Sequence, residues 1–217
     1  THTIMKTLTK EMQTAITPAM ALDLLKEGNK RFVNNLKVNR NLLQQANETS
    51  DGQHPFAVIL SCIDSRTSAE LVFDQGLGDI FSVRIAGNII NGDILGSMEF
   101  GCKAAGAKLI VVMGHAKCGA VKGACDHVEM GNLTGLLEKI KPAVDAEATE
   151  TTNRSSGNAE FVEKVADINV RKTVQAIVAQ SPILKEMADA GQINIIGGMH
   201  NIATGEVTFY DDTLIGK

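Results

Sequence analysis

Four short apolar runs constrain this chain most: Phe56 to Leu60, Ile80 to Val83, Leu109 to Met113 and Ile193 to Ile196. Their apolar residues are contiguous rather than alternating, as in strands buried on both faces of a sheet. Stretches of helical period separate them, with candidates at Ser68 to Phe73, Asp93 to Ala105, Ala116 to Glu129, Thr134 to Glu147, Glu160 to Ala179 and Ile183 to Ala190. The expected fold is α/β, with a mostly parallel central β-sheet flanked by helices. Val207 to Tyr210 follows the Thr204-Gly205 turn and is expected to add an antiparallel edge strand. The polar stretch Glu147 to Asn158 reads as an exposed loop, and no internal repeat is visible.

Ahead of the sheet, Met5, Leu8, Met12 and Ile16 recur at helical spacing. Thr17-Pro18 then offers an N-cap and a first-turn proline for a second helix reaching about Leu36. Asn39 to His54, rich in Asn and Gln and carrying Asp51-Gly52, reads as a linker. The expected organisation is a helical arm and linker over 1–50 and an α/β domain over 51–217. With 44% hydrophobic residues, 217 residues suffice for one core.

With 21 Lys and Arg against 25 Asp and Glu, the net charge is −4, so no overall basic field favours nucleic acid or an anionic membrane. No apolar run approaches the ~20 residues of a spanning helix. The chain has no Trp and one Tyr, which disfavours a binding groove built on stacked aromatics. It opens Thr1-His2-Thr3 without an apolar leader, so a cytoplasmic location is the default expectation, or a periplasmic one if a leader was removed before Thr1.

Reactive groups in parallel sheets gather at the carboxyl ends of strands. Phe56 to Leu60 runs into Ser61-Cys62-Ile63-Asp64-Ser65-Arg66, and Leu109 to Met113 into Gly114-His115-Ala116-Lys117-Cys118. Cys62, His115 and Cys118 form a soft S/N/S set of the kind that selects Zn²⁺, and three ligands leave a fourth position open, as in catalytic sites. Asp64 is the other acid close by, with Arg66 placed to pair with it. Each feature alone has a plainer reading: a packed Cys, a local ion pair, a chance His-x-x-Cys. Their convergence at two strand ends favours metal catalysis over coincidence. Cys102 and Cys125 fall in helix candidates and are expected to pack, while His2, His127 and His200 lack companions and default to surface or structural roles.

Cys62 to Arg66, Ala69 to Phe81, Val83 to Asn88, Gly96 to Phe100 and Gly114 to Val121 together resemble the β-class carbonic anhydrases, most strongly over Gln53 to Val121. The resemblance implies reversible hydration of carbon dioxide to bicarbonate and a proton. One Zn²⁺ per subunit would be held by Cys62, His115 and Cys118, and a zinc-bound hydroxide oriented by Asp64 and Arg66. Asp64 is the alternative fourth ligand of a closed state. The bicarbonate-gated subgroup resembles a pattern with Trp three residues before the first Cys ligand and Gly just before it. Ile59 and Ser61 stand there, and Gln53 stands where the open subgroup carries Gln. The same resemblance implies a pocket beside the metal lined by Phe81, Ala86 and Phe100, with Gln53 donating to substrate oxygen. Its partners would be the small-molecule substrate and a second copy, in a homodimer or dimer of dimers wrapped by the N-terminal helices. Their alternative role is to cover this subunit's own sheet. His54, next to Gln53, is a candidate proton shuttle, its plainer reading being a surface linker residue. Rival readings are a carbonyl sulfide or carbon disulfide hydrolase on the same site, and a non-catalytic zinc module with Asp64 fixed on the metal.

Overall fold

The computed structural model describes residues 6–217. Its centre is a five-stranded sheet in the order β2-β1-β3-β4-β5, built from β1 (Ala57–Ser61), β2 (Ile80–Arg84), β3 (Leu109–His115), β4 (Asn194–His200) and β5 (Val207–Ile215). The first four strands are parallel and β5 runs antiparallel to β4 at the edge, as the apolar runs predict. Every residue of β1 and β3 is buried, which explains their unbroken apolarity.

Each face of the sheet has its own core. Val58, Leu60, Ile110, Val112 and Ile195 meet α5 (Gly92–Glu99), α9 (Ala159–Gln180) and α10 (Pro182–Asp189). Ala57, Ile59, Leu109, Val111 and Ile196 meet α2 (Pro18–Val33) and Phe73. Fully burying such a side chain stabilises by roughly 1.5–3 kcal/mol. Helix α9 lies close enough to β4 that a Cβ on Gly197 would come within 2.7 Å of Val170 Cγ1. Among the described residues, no helix is long and apolar enough to cross a membrane.

The N-terminal helices join this chain's own core. Thr17 caps α2 by accepting from the Met20 amide, and Ala21 and Leu25 are fully buried. Asn29 donates to the Val72 and Gly205 carbonyls and accepts from the Val207 amide. Helix α1 (Lys10–Ala15) is shorter than the spacing predicts because Thr9 caps it, accepting from the Met12 amide; Met5 lies outside the described residues. Its Gln13 is buried and donates to the Pro55 and Ala105 carbonyls.

Several expectations need correction. The supposed linker contains α3 (Leu42–Glu48), capped by Asn41, whose side chain accepts from the Gln44 amide. The segment before α3 is tied down by Asp74, which accepts from Arg31, Arg40 and the Val38 amide. Between Ala69 and the next strand, α4 (Ala69–Val72) is a single turn. The predicted helix from Asp93 to Ala105 changes after α5 to a π-helical turn, Phe100–Ala104. The next candidate shortens to α6 (Gly119–Cys125), because Ala116 to Cys118 form a reversing loop in which Lys117 has φ +57. Thr134 to Glu147 splits into α7 (Gly131–Glu138) and α8 (Lys141–Ala146), since Pro142 starts a helix and cannot continue one. The loop from Glu147 to Asn158 is pinned rather than free: Glu147 is buried, and Arg154 donates to the Val144, Glu147 and Glu150 carbonyls.

Candidate metal centre

Cys62 follows the last residue of β1, His115 ends β3, and Cys118 is the N-cap position of α6. All three are buried, and their ligating atoms lie within 4.8 Å of one another. The two thiol sulfurs are 4.0 Å apart. Cys62 is held well down by the Cys118 thiol, with the Gly87 amide also favouring charge on it, and Cys118 is held correspondingly up. The Gly87 N–H donates to Cys62 Sγ at 3.4 Å. That amide is delivered by a 3₁₀ turn, Ala86–Asn88, in which Gly87 takes φ +70 and a Cβ would sit 2.5 Å from Ile140 Cδ1. Asn169 on α9 holds the same turn by donating to the Gly87 carbonyl.

His115 supplies the test of metal fit. Its Nδ1 is 2.9 Å from the Ala116 carbonyl and donates to it, so Nε2 carries the lone pair. Nε2 is buried without a hydrogen-bond partner among the described residues. A bare imidazole lone pair beside two thiols fits a soft divalent ion with the orienting contact such ligands need.

Asp64 stands next to this set, its Oδ2 3.9 Å from His115 Nε2. Arg66 donates to it three times: Nε and the backbone amide to Oδ1 at 3.0 and 2.9 Å, and Nη2 to Oδ2 at 2.7 Å. These bonds hold the Asp64 carboxyl well below the usual carboxylate range, with burial opposing. The loop carrying it is fastened by Arg84, which donates to the Cys62 and Asp64 carbonyls.

The expected substrate residues are not gathered at these thiols within one chain. Ala86 is, beside Gly87. Phe81 pairs in register with Val58, four residues before Cys62, which at ~3.3 Å per residue is about 13 Å along the strand. Phe100 packs edge-on against Phe81 with centroids 6.1 Å apart and is exposed. Gln53 is exposed and His54 half-buried, both beyond the amino end of β1, opposite Cys62. The extension of one strand therefore separates Gln53, Phe81 and Phe100 from this chain's own Cys62.

Three residues escape the sequence reading. Gly87 and Arg84 lie in the Val83–Asn88 motif without announcing their contacts. His200, expected to be without companions, is buried, is the register partner of His115 and bonds Thr67; burial pushes its imidazole down to about 4. Cys102 and Cys125 pack as expected, and burial pushes both thiols up, to about 12 and about 11. His127 is exposed, and His2 lies outside the described residues.

The carbonic anhydrase family model matches residues 57–207. Carbonic anhydrase 2 of Mycobacterium tuberculosis is 34% identical over 206 residues, an alignment covering 89% of this chain and 93% of that protein. The chain belongs to the β-class carbonic anhydrases. Solved β-carbonic anhydrases share the fold. The structure of CcaA superposes with a TM-score of 0.70 at 23% identity, covering 90% of this chain and 92% of that one. One of two tetrameric β-carbonic anhydrases from Sordaria macrospora gives 0.68 at 22%, covering 89% and 95%. As a carbonic anhydrase the protein is a lyase, and Cys62, His115 and Cys118 are its candidate metal site.

Proposed function

We propose that this carbonic anhydrase binds zinc through Cys62, His115 and Cys118 and hydrates carbon dioxide with Asp64 and Arg66 as its working dyad. The observation that carries the reading is the unpartnered, buried His115 Nε2 between two thiols, with an ionised carboxylate alongside that is bound by arginine. Zinc, when bound, supplies Lewis acidity, which makes water a nucleophile near neutral pH. Asp64, kept ionised, can only accept a hydrogen bond, so it takes that of the attacking O–H and leaves the oxygen lone pair facing carbon dioxide. Arg66 occupies both carboxylate oxygens, which favours a dyad standing off the metal over a permanent fourth ligand.

Gln53, Phe81 and Phe100 lie towards the opposite end of β1 and β2 from Cys62. We infer that they complete the pocket of a second copy, Gln53 donating to substrate oxygen and the rings excluding water. The catalytic unit is then at least a homodimer, and the tetrameric relative from Sordaria macrospora supports an oligomer. Zinc stoichiometry by elemental analysis and stopped-flow hydration of carbon dioxide test the reading together. A metal-loaded chain without hydration activity would overturn it.

A further inference from the structure

We propose that Thr67 and His200 are a positioning pair for the hydration reaction, their buried hydrogen bond clamping the Asp64 loop across the metal end of the sheet. The proposal rests on the role given to Asp64 above. Residues 62–67 leave β1 and must hold a carboxylate beside His115 without support from a helix or strand of their own. On the β2 side Arg84 grips the loop through the Cys62 and Asp64 carbonyls, at 3.0 and 2.6 Å. On the other side the Thr67 side chain bonds His200, Oγ1 to Nδ1 at 2.5 Å.

That bond spans β3. His200 sits on β4, two strands from β1, and is the register partner of His115, which ends the strand between. The Ala116 amide donates to the His200 carbonyl, so its backbone is also tied to the metal-bearing turn. Thr67 transmits the constraint, because its amide donates to the Asp64 carbonyl at 3.1 Å. Moving Thr67 therefore moves Asp64 and the carboxylate that Arg66 holds.

Both partners are buried, Thr67 at 0% and His200 at 2% exposure, so water does not compete for the bond. An apolar pair could fill the same space at less desolvation cost, and what the polar pair adds is direction. With Nδ1 engaged by Thr67, the ring is placed to hold the loop rather than to carry protons to solvent.

The test uses zinc-loaded enzyme and the variants Thr67→Val, Thr67→Ser, His200→Phe and Thr67→Val/His200→Phe. Thr67→Val is expected to exchange the amides of 64–67 about tenfold faster and to lower kcat about tenfold, as loss of one buried hydrogen bond allows. KM, zinc content and exchange in β1 and β3 are expected to stay at wild-type values. Thr67→Ser should restore both exchange and kcat, and the double variant should be no worse than Thr67→Val, since both break the same bond. Unchanged exchange, loosening that spreads to β1 and β3, unchanged kcat, or additive losses in the double variant would each overturn the proposal. If His200→Phe does not fold, the Thr67 variants decide alone. A wild-type enzyme that does not hydrate carbon dioxide would instead defeat the functional reading, leaving the exchange result to stand on its own.

Discussion

In the proposed mechanism Asp64 must stay charged beside the metal yet keep off the ion, and its three bonds from Arg66 fit both demands. Asp64→Ala should retain zinc while hydration falls about a hundredfold or more, as loss of the group that orients the attacking oxygen allows; stopped-flow rates alongside elemental analysis check it. Cys118→Ala should instead empty the site of metal. The native carboxyl of Asp64 titrates below its unfolded value, so its pairing with Arg66 stabilises fully above the ordinary carboxylate pKa of about 3.9 and is lost only as pH falls through the lower native value. An NMR titration of the Asp64 carboxyl carbon should show no protonation in the ordinary carboxylate range. Zinc affinity, by contrast, should weaken as pH falls, because binding displaces protons from the thiols; chelator competition across pH measures this. The gathering of Cys62, His115 and Cys118 beside the Asp64–Arg66 pair was legible because each residue sits in one of two short motifs after an apolar run. Thr67 and His200 were not, since their meeting depends on β4 lying beside β3, which no local pattern encodes.

Among the elements, β1 and β3 were readable because burial on both faces leaves nothing but apolarity to read, while β2 at the sheet edge is fully buried only at Ile80. Helix ends were less so. Pro142 marks the break between α7 and α8, whereas α3 hides in a run of Asn and Gln where Asn41 acts as a cap. The notch over Gly197 shows how closely α9 must sit on the sheet. Gly197→Ala should cost about 1–3 kcal/mol through overpacking against Val170, read from denaturant unfolding. Asp74→Ala should cost about 3 kcal/mol, since it breaks the largely buried ion pair with Arg40 and the bonds from Arg31 and the Val38 amide, and the segment before α3 should then become accessible to protease.

At the scale of the whole molecule, one chain holds Cys62, His115, Cys118 and Ala86 at the carboxyl ends of its strands and Gln53, Phe81 and Phe100 towards the amino ends. Phe100, exposed and edge-on to Phe81, marks the surface where a second copy would fit. Phe100→Arg should yield a smaller species by sedimentation that still binds zinc but hydrates carbon dioxide poorly. The separation along β1 has a genetic consequence as well. Cys118→Ala and Gln53→Ala subunits should each be nearly inactive alone. In a mixed dimer, though, one pocket collects both defects and the other receives neither, so two crippled alleles should complement each other and recover activity that a self-contained pocket never could.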